Sequence, residues 1–220
     1  PPTLASIVAA TPLRRDAQGL ILLPERPDLQ EATDLLKNTA LKNKAAPQPP
    51  TAADLTETED VQISAAIRAQ AVALGKSPLR IHQWVRNTIE YLPSYGSIQG
   101  SDLTFQTRRG NATDIASLEI ALLRAASIPA RYVRGTVELP IAKVQNWVGG
   151  VTTPAAVQSL LAQGGIPNMG LISGGSVQSI RLEHTWVEAW VQYLPSRGAK
   201  HVGGVSVGDT WVPLDASYKQ

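Results

Sequence analysis

The stretch 109–133, RGNATDIASLEIALLRAASIPARYV, constrains the possible folds of this chain more than any other. It reads as a capped helix running into a strand. Asn111 can serve as N-cap, and Asp114 stands three positions later, where a carboxylate reaches back to the unpaired amides and suits the helix dipole. Ile115, Leu118, Leu122 and Ala125 then recur at three- and four-residue steps, flanked by Leu123 and Ala126. Only Glu119 and Arg124 interrupt the apolar character, so this helix is expected to be almost wholly buried. Pro129 stops it, and Arg131, Tyr132 and Val133 alternate as a strand does. A buried helix with so sharply cut an N-terminus is a good place to hold a reactive group.

Composition narrows the function classes. Hydrophobic residues at 43% and charged residues at 17% are ordinary globular values, and 220 residues suit one domain with an arm or two small domains. A net charge of +2 without a Lys/Arg block argues against nucleic acid as partner. No apolar run approaches the ~18 residues of a membrane helix, so no membrane insertion is expected. Residues 4–10 are too short and too poor in basic flank to be a signal peptide. Cysteine is absent, which excludes disulfides and thiolate metal sites and is compatible with a secreted bacterial protein. No metal and no cofactor is expected. Starting at Pro1 and stopping five residues after Asp215, the chain reads as a piece of something longer.

Residues 1–50 read as an N-terminal arm. Pro12, Pro24 and Pro27 punctuate its start, 20–23 is a short apolar run, and 28–44 has the pattern of one helix. Residues 45–50, AAPQPP, form a stiff linker, which places the domain at 51–220. Within it, 58–74 reads as a helix ended by Gly75. Ser77 and Pro78 open another, with Ile81, Trp84, Val85 and Ile89 on its buried face. Residues 95–109 read as a loop, and a helix is expected near 155–162 among glycine-rich turns. A hairpin turn at Ser173, Gly174 and Gly175 then places 177–182 and 184–193 on strands. Residues 198–209 read as a flexible link before the strand that holds Asp215.

Three ordered segments carry a resemblance. G-N-x-x-D before the buried helix, continued by ALLRAASIPARYV, is followed by LEHTWVE at 182–188 and WVPLD at 211–215. In this order they resemble the transglutaminase-like superfamily, relatives of the papain-like cysteine peptidases, over residues 77–218. The resemblance implies an α+β fold whose helical half packs on an antiparallel β-sheet. It also implies a catalytic triad with the nucleophilic cysteine at position 112, the histidine at His184 and the aspartate at Asp215. Position 112 is alanine.

In such a site a thiolate at a helix N-terminus attacks an amide carbonyl, a histidine moves the proton, and a carboxylate fixes the imidazole's orientation. Water would make the site a peptidase, and a lysine amine would make it a crosslinking enzyme. The backbone amide of residue 112 would serve the oxyanion together with Gln99 or Gln106. Trp147, Trp186 and Trp190 are candidates for a cleft lining or for packing. Taken singly, His184 could be a core histidine and Asp215 a turn residue, whereas the ordered match assigns them to the triad. His82 and His201 are expected to be solvated, and Glu188 shares the face of His184.

Ala112 has neither lone pair nor proton to offer, so the chain as it stands is expected to be inactive. One reading is a pseudoenzyme that binds or scaffolds a protein or peptide segment in its cleft, from another protein or from another part of the same long chain. The resemblance extends to domains carried in large secreted bacterial repeat or toxin-delivery proteins, which implies a secreted or extracytoplasmic place. A second reading is an active enzyme, self-processing or acting on other chains, whose cysteine has been replaced by alanine. A third is a purely structural domain.

Overall fold

In the computed structural model, which describes residues 48–194, 198–200 and 209–219, the chain is helical first and sheet-forming later. Helices α1 (Ala65–Ala73) and α2 (Pro78–Thr88) lead through the two-residue strand β1 (Glu90–Tyr91) to helix α3 (Gly100–Thr107). Strand β2 (Arg109–Gly110) then opens the central helix α4 (Ala112–Ala125). Strand β3 (Ala130–Pro140) and helices α5 (Ile141–Trp147) and α6 (Pro154–Gln163) follow. Strands β4 (Asn168–Ser173), β5 (Ser176–Leu194), β6 (Gly198–Lys200) and β7 (Asp209–Leu214) come last. The expected arm helix at 28–44, the 20–23 run, linker residues 45–47 and His201 lie outside the described residues.

Helix α4 is built as its sequence dictates. The Asn111 side chain accepts from the Asp114 amide at 2.9 Å, and Asp114 reaches back to the Asn111 amide, completing a capping box. Ile115, Leu118, Ile120, Leu122 and Leu123 are all buried. At about 1.5–3 kcal/mol for each such side chain, this helix supplies much of what holds the domain together. It packs with Ile67 of α1, Ile81 and Val85 of α2, and Val187, Ala189 and Val191 of β5 in one core. Glu119 and Arg124 are buried as well. The Arg124 guanidinium donates to the Ala130 and Thr56 carbonyls, which replaces the water it has lost.

Strand β5 is the spine of an antiparallel sheet. It pairs with β3 from Ala130↔Ala189 to Pro140↔Ser179, with β4 along its first half, and with β6 and β7 along its second. Its alternation serves two cores. Val187, Ala189 and Val191 face α4, whereas Ile180 and Leu182 join Val144 of α5 and Val157 and Leu161 of α6 in a second cluster.

The structure corrects several expectations. The helix expected over 58–74 begins only at Ala65, because the residues before it bond elsewhere. The Asp60 carbonyl accepts from the Ser101 amide at 2.8 Å, and the Gln62 amide donates to Ser101 Oγ at 2.7 Å. The loop expected over 95–109 contains α3. The strands expected over 177–182 and 184–193 are one continuous strand, β5, and the expected link at 198–209 opens with β6. Trp84 is only partly buried, covering the core edge against Phe105 at 5.8 Å between ring centres. Helix α5 was not anticipated from the sequence.

Candidate active site

Strand β5 carries His184 opposite Gly135 of β3. Strand β7 pairs Leu214 with Val187, so Asp215 follows at the end of that strand. His184 Nε2 and Asp215 Oδ2 are 2.8 Å apart, with the side chains 5% and 30% exposed. The other carboxylate oxygen, Oδ1, accepts from Ser217 Oγ at 2.7 Å and from the Ser217 and Tyr218 amides at 3.1 Å each. Burial alone would raise the Asp215 pKa, but the His184 bond and charge and these further donors outweigh it and hold the carboxyl below the usual range. An ionised Asp215 accepts, so His184 donates through Nε2 and keeps Nδ1 as its other functional nitrogen. Ser217 was missed in the sequence, although Asp-x-Ser at a strand end is an Asx-turn signal.

Two tryptophans bracket the imidazole. Trp147 meets it edge-on at 5.2 Å and Trp186 lies nearly parallel at 6.1 Å. Trp147 is fixed by its Nε1–H bond to the Ser217 carbonyl at 2.7 Å and by stacking on Tyr91 at 4.8 Å. Gly135 matters here: a Cβ at that position would come within 3.3 Å of the Trp186 ring. Trp190 packs instead against Trp211, and Glu188 pairs with Arg131 at 2.8 Å, so neither joins His184.

Position 112 is the first residue of α4. Ala112, Asp215, Ser217 and Glu119 line one narrow crevice with no room for a water molecule. The next residue, Thr113, donates to Thr185 Oγ1 at 3.4 Å, beside His184. Asp114 ties the preceding loop down, its Oδ1 accepting from the amides of Ile98, Gln99 and Gly100 at 2.9–3.3 Å. Gly110 is needed for the close approach of β2, because a Cβ there would lie 2.8 Å from the Asp114 Cβ.

Gln99 and Gln106 do not meet His184. Gln99 Oε1 accepts from Thr107, Gln106 donates to Asp102 at 2.9 Å, and both line a separate depression with Glu57 and Leu103. The expectation that His82 is solvated is corrected: its Nδ1 lies 2.8 Å from Oε1 of Glu119, which is 1% exposed. Their separation by 37 residues hides this pair from any local reading. Among the described residues no cluster of His, Asp and Glu is suited to a metal ion, and no helix is long and apolar enough to cross a membrane.

Chemically, the arrangement is an oriented imidazole–carboxylate pair whose carboxylate shares a crevice with Ala112 at a helix N-terminus. A family model for the transglutaminase-like superfamily matches residues 61–216. No curated protein matches the chain. Among solved structures it is similar to a candidate cysteine protease from Cytophaga hutchinsonii, at 22% identity over 75% of this chain and 41% of that one, with a TM-score of 0.41. It is also similar to the periplasmic domain of TgpA from Pseudomonas aeruginosa bound to ethylmercury, at 22% identity over 75% of this chain and 47% of that one, with a TM-score of 0.38. The chain thus spans less than half the length of these structures.

Proposed function

The chain belongs to the transglutaminase-like superfamily, and on that premise we propose that His184 and Asp215 are the acid–base half of a thiol-type acyl-transfer site. In this reading Ala112 holds the nucleophile's place. The observation that carries it is the 2.8 Å bond between a nearly inaccessible imidazole and a carboxylate satisfied on both oxygens. With a thiol at position 112, the helix N-terminus and an imidazolium would favour the thiolate, lowering its pKa from about 8.5 to roughly 3.5–7.5. The thiolate would add to an amide carbon, His184 would protonate the departing amine, and water or a second amine would cleave the thioester. With alanine the first bond cannot form. The domain then serves as a binding or scaffolding module that holds a peptide segment in its cleft, within a larger secreted bacterial protein.

The retained His184–Asp215 bond also favours a second reading, an active enzyme in which alanine replaces its cysteine. One experiment separates them. Ala112→Cys is expected to fold like the parent and to react with iodoacetamide at pH 6–7 at least tenfold faster than a free cysteine, with His184→Ala removing that advantage. Amidase or amine-incorporating activity in Ala112→Cys supports the second reading, and a reactive thiol without activity supports the binding module. A thiol of ordinary reactivity overturns the triad assignment itself.

A further inference from the structure

The His184–Asp215 pair leaves a second imidazole–carboxylate pair without a role. Glu119 lies seven residues after Ala112, two turns along the same face of α4, and lines the crevice shared by Ala112 and Asp215. His82 of α2 meets its Oε1, while Oε2 is buried and has no hydrogen-bond partner. Ala216 lines the same crevice as Glu119, and its amide favours the ionised carboxylate. A buried carboxylate with an orphan oxygen is costly, and a leucine at this point of an otherwise apolar helix would avoid the cost. Its neighbours indicate what it does: the Ala216 amide lies between Asp215 and Ser217, the residues that orient His184.

We propose that His82 and Glu119 are a positioning pair, holding the 215–217 turn against α4 and making the placement of Asp215, and so of His184, depend on the pair's own protonation. The idea rests on the reading of His184 and Asp215 as the acid–base half of the site. Burial lowers the His82 pKa, but the Glu119 bond and charge more than reverse this, and it stands above its ordinary value. Burial raises Glu119 further than His82 lowers it, and the Asp215 charge adds to the rise. The other charged groups bearing on the pair are Arg86 of α2 and Lys219, which lines the same surface depression as His82. As pH rises through its raised folded values, the pair loses its last proton. An ionised, uncompensated Glu119 is then left beside Asp215, and the two carboxylates repel across the turn.

The chain as it exists can report this, because it has only three histidines, His82, His184 and His201. Imidazole NMR from pH 5.5 to 9 would follow the His184 Nε2–H proton and the ring C–H signals of His82. The expected result is a step in the His184 proton shift whose midpoint coincides with the His82 titration. That step should vanish in both Glu119→Gln and His82→Gln while the His184 proton itself remains visible. A step belonging to His184 alone would survive both substitutions. Absence of a matching step in the parent overturns the proposal, as does its survival in either variant. His82→Gln carries the test if Glu119→Gln fails to fold, because the His82 side chain is 19% exposed and faces a depression. Since the readout needs no thiol, failure here leaves the acyl-transfer reading to be judged separately by alkylation of Ala112→Cys.

Discussion

Thr113 Oγ1 lies 3.4 Å from Thr185 Oγ1, linking the residue after position 112 to the residue after His184. Both threonines are buried, and the bond joins the first turn of α4 to β5. At this length it is weak. Thr185→Val is therefore expected to cost about 0.5–1.5 kcal/mol in a denaturant melt. In the Ala112→Cys background the same change should slow alkylation at pH 6–7. Unchanged alkylation would mean that the helix end and His184 are aligned by packing alone.

Leu118 and Leu122 are fully buried in the α4 core. Leu118→Ala and Leu122→Ala should each cost about 2–5 kcal/mol, through lost transfer energy and the cavity left behind. Thermal melts matching the parent would contradict the central place of this helix.

Stability should depend on pH from two sides. Asp215 is depressed in the folded state, so its contribution is present above about pH 4 and is lost as pH falls through its lower folded value. His82 and Glu119 are raised. Their contributions are full below the unfolded values, about 6.5 and about 4.3, and are lost as pH rises through the folded ones. A series of melts from pH 3 to 9 should show Tm falling at both ends. His82→Gln should flatten the decline above pH 6.5, and an unchanged slope there would show that the pair is not linked to folding.

We propose that the domain boundary follows the proline linker, so residues 51–220 should fold by themselves. Among the described residues, the truncation removes the surface bond from Trp211 Nε1 to the Gln48 carbonyl. Arg131 remains stacked on the Trp211 ring at 4.0 Å. The loss in Tm is expected to be smaller than that of Leu118→Ala. Insoluble expression of 51–220 would show that the arm completes the domain.

What was legible in the sequence was local. The capping box and apolar stripe of α4 lie within the 14-residue helix and its N-cap and fold as they read. His184 and Asp215, singled out by ordered motifs, are found in hydrogen-bond contact. What escaped depends on distant partners. Helix α3 is poor in strong helix formers, and its N-terminus is held by Asp114, 14 residues after Gly100. Residues 58–64 leave the helical pattern because Ser101 captures their backbone. The pairing of His82 depends on a glutamate two helices away, and the orphaned oxygen of that glutamate has no signature in sequence at all.

Strand β5 has a consequence for how the site tolerates change. Asp215 reaches His184 because Leu214 pairs with Val187 and Val212 with Ala189. Sliding β7 by one residue would turn every side chain to the opposite face, and sliding it by two would shift Asp215 by about 6.7 Å. The contact between acid and base is thus quantised by the ladder. It exists at one rung and is absent at the next, whatever residue stands at position 112.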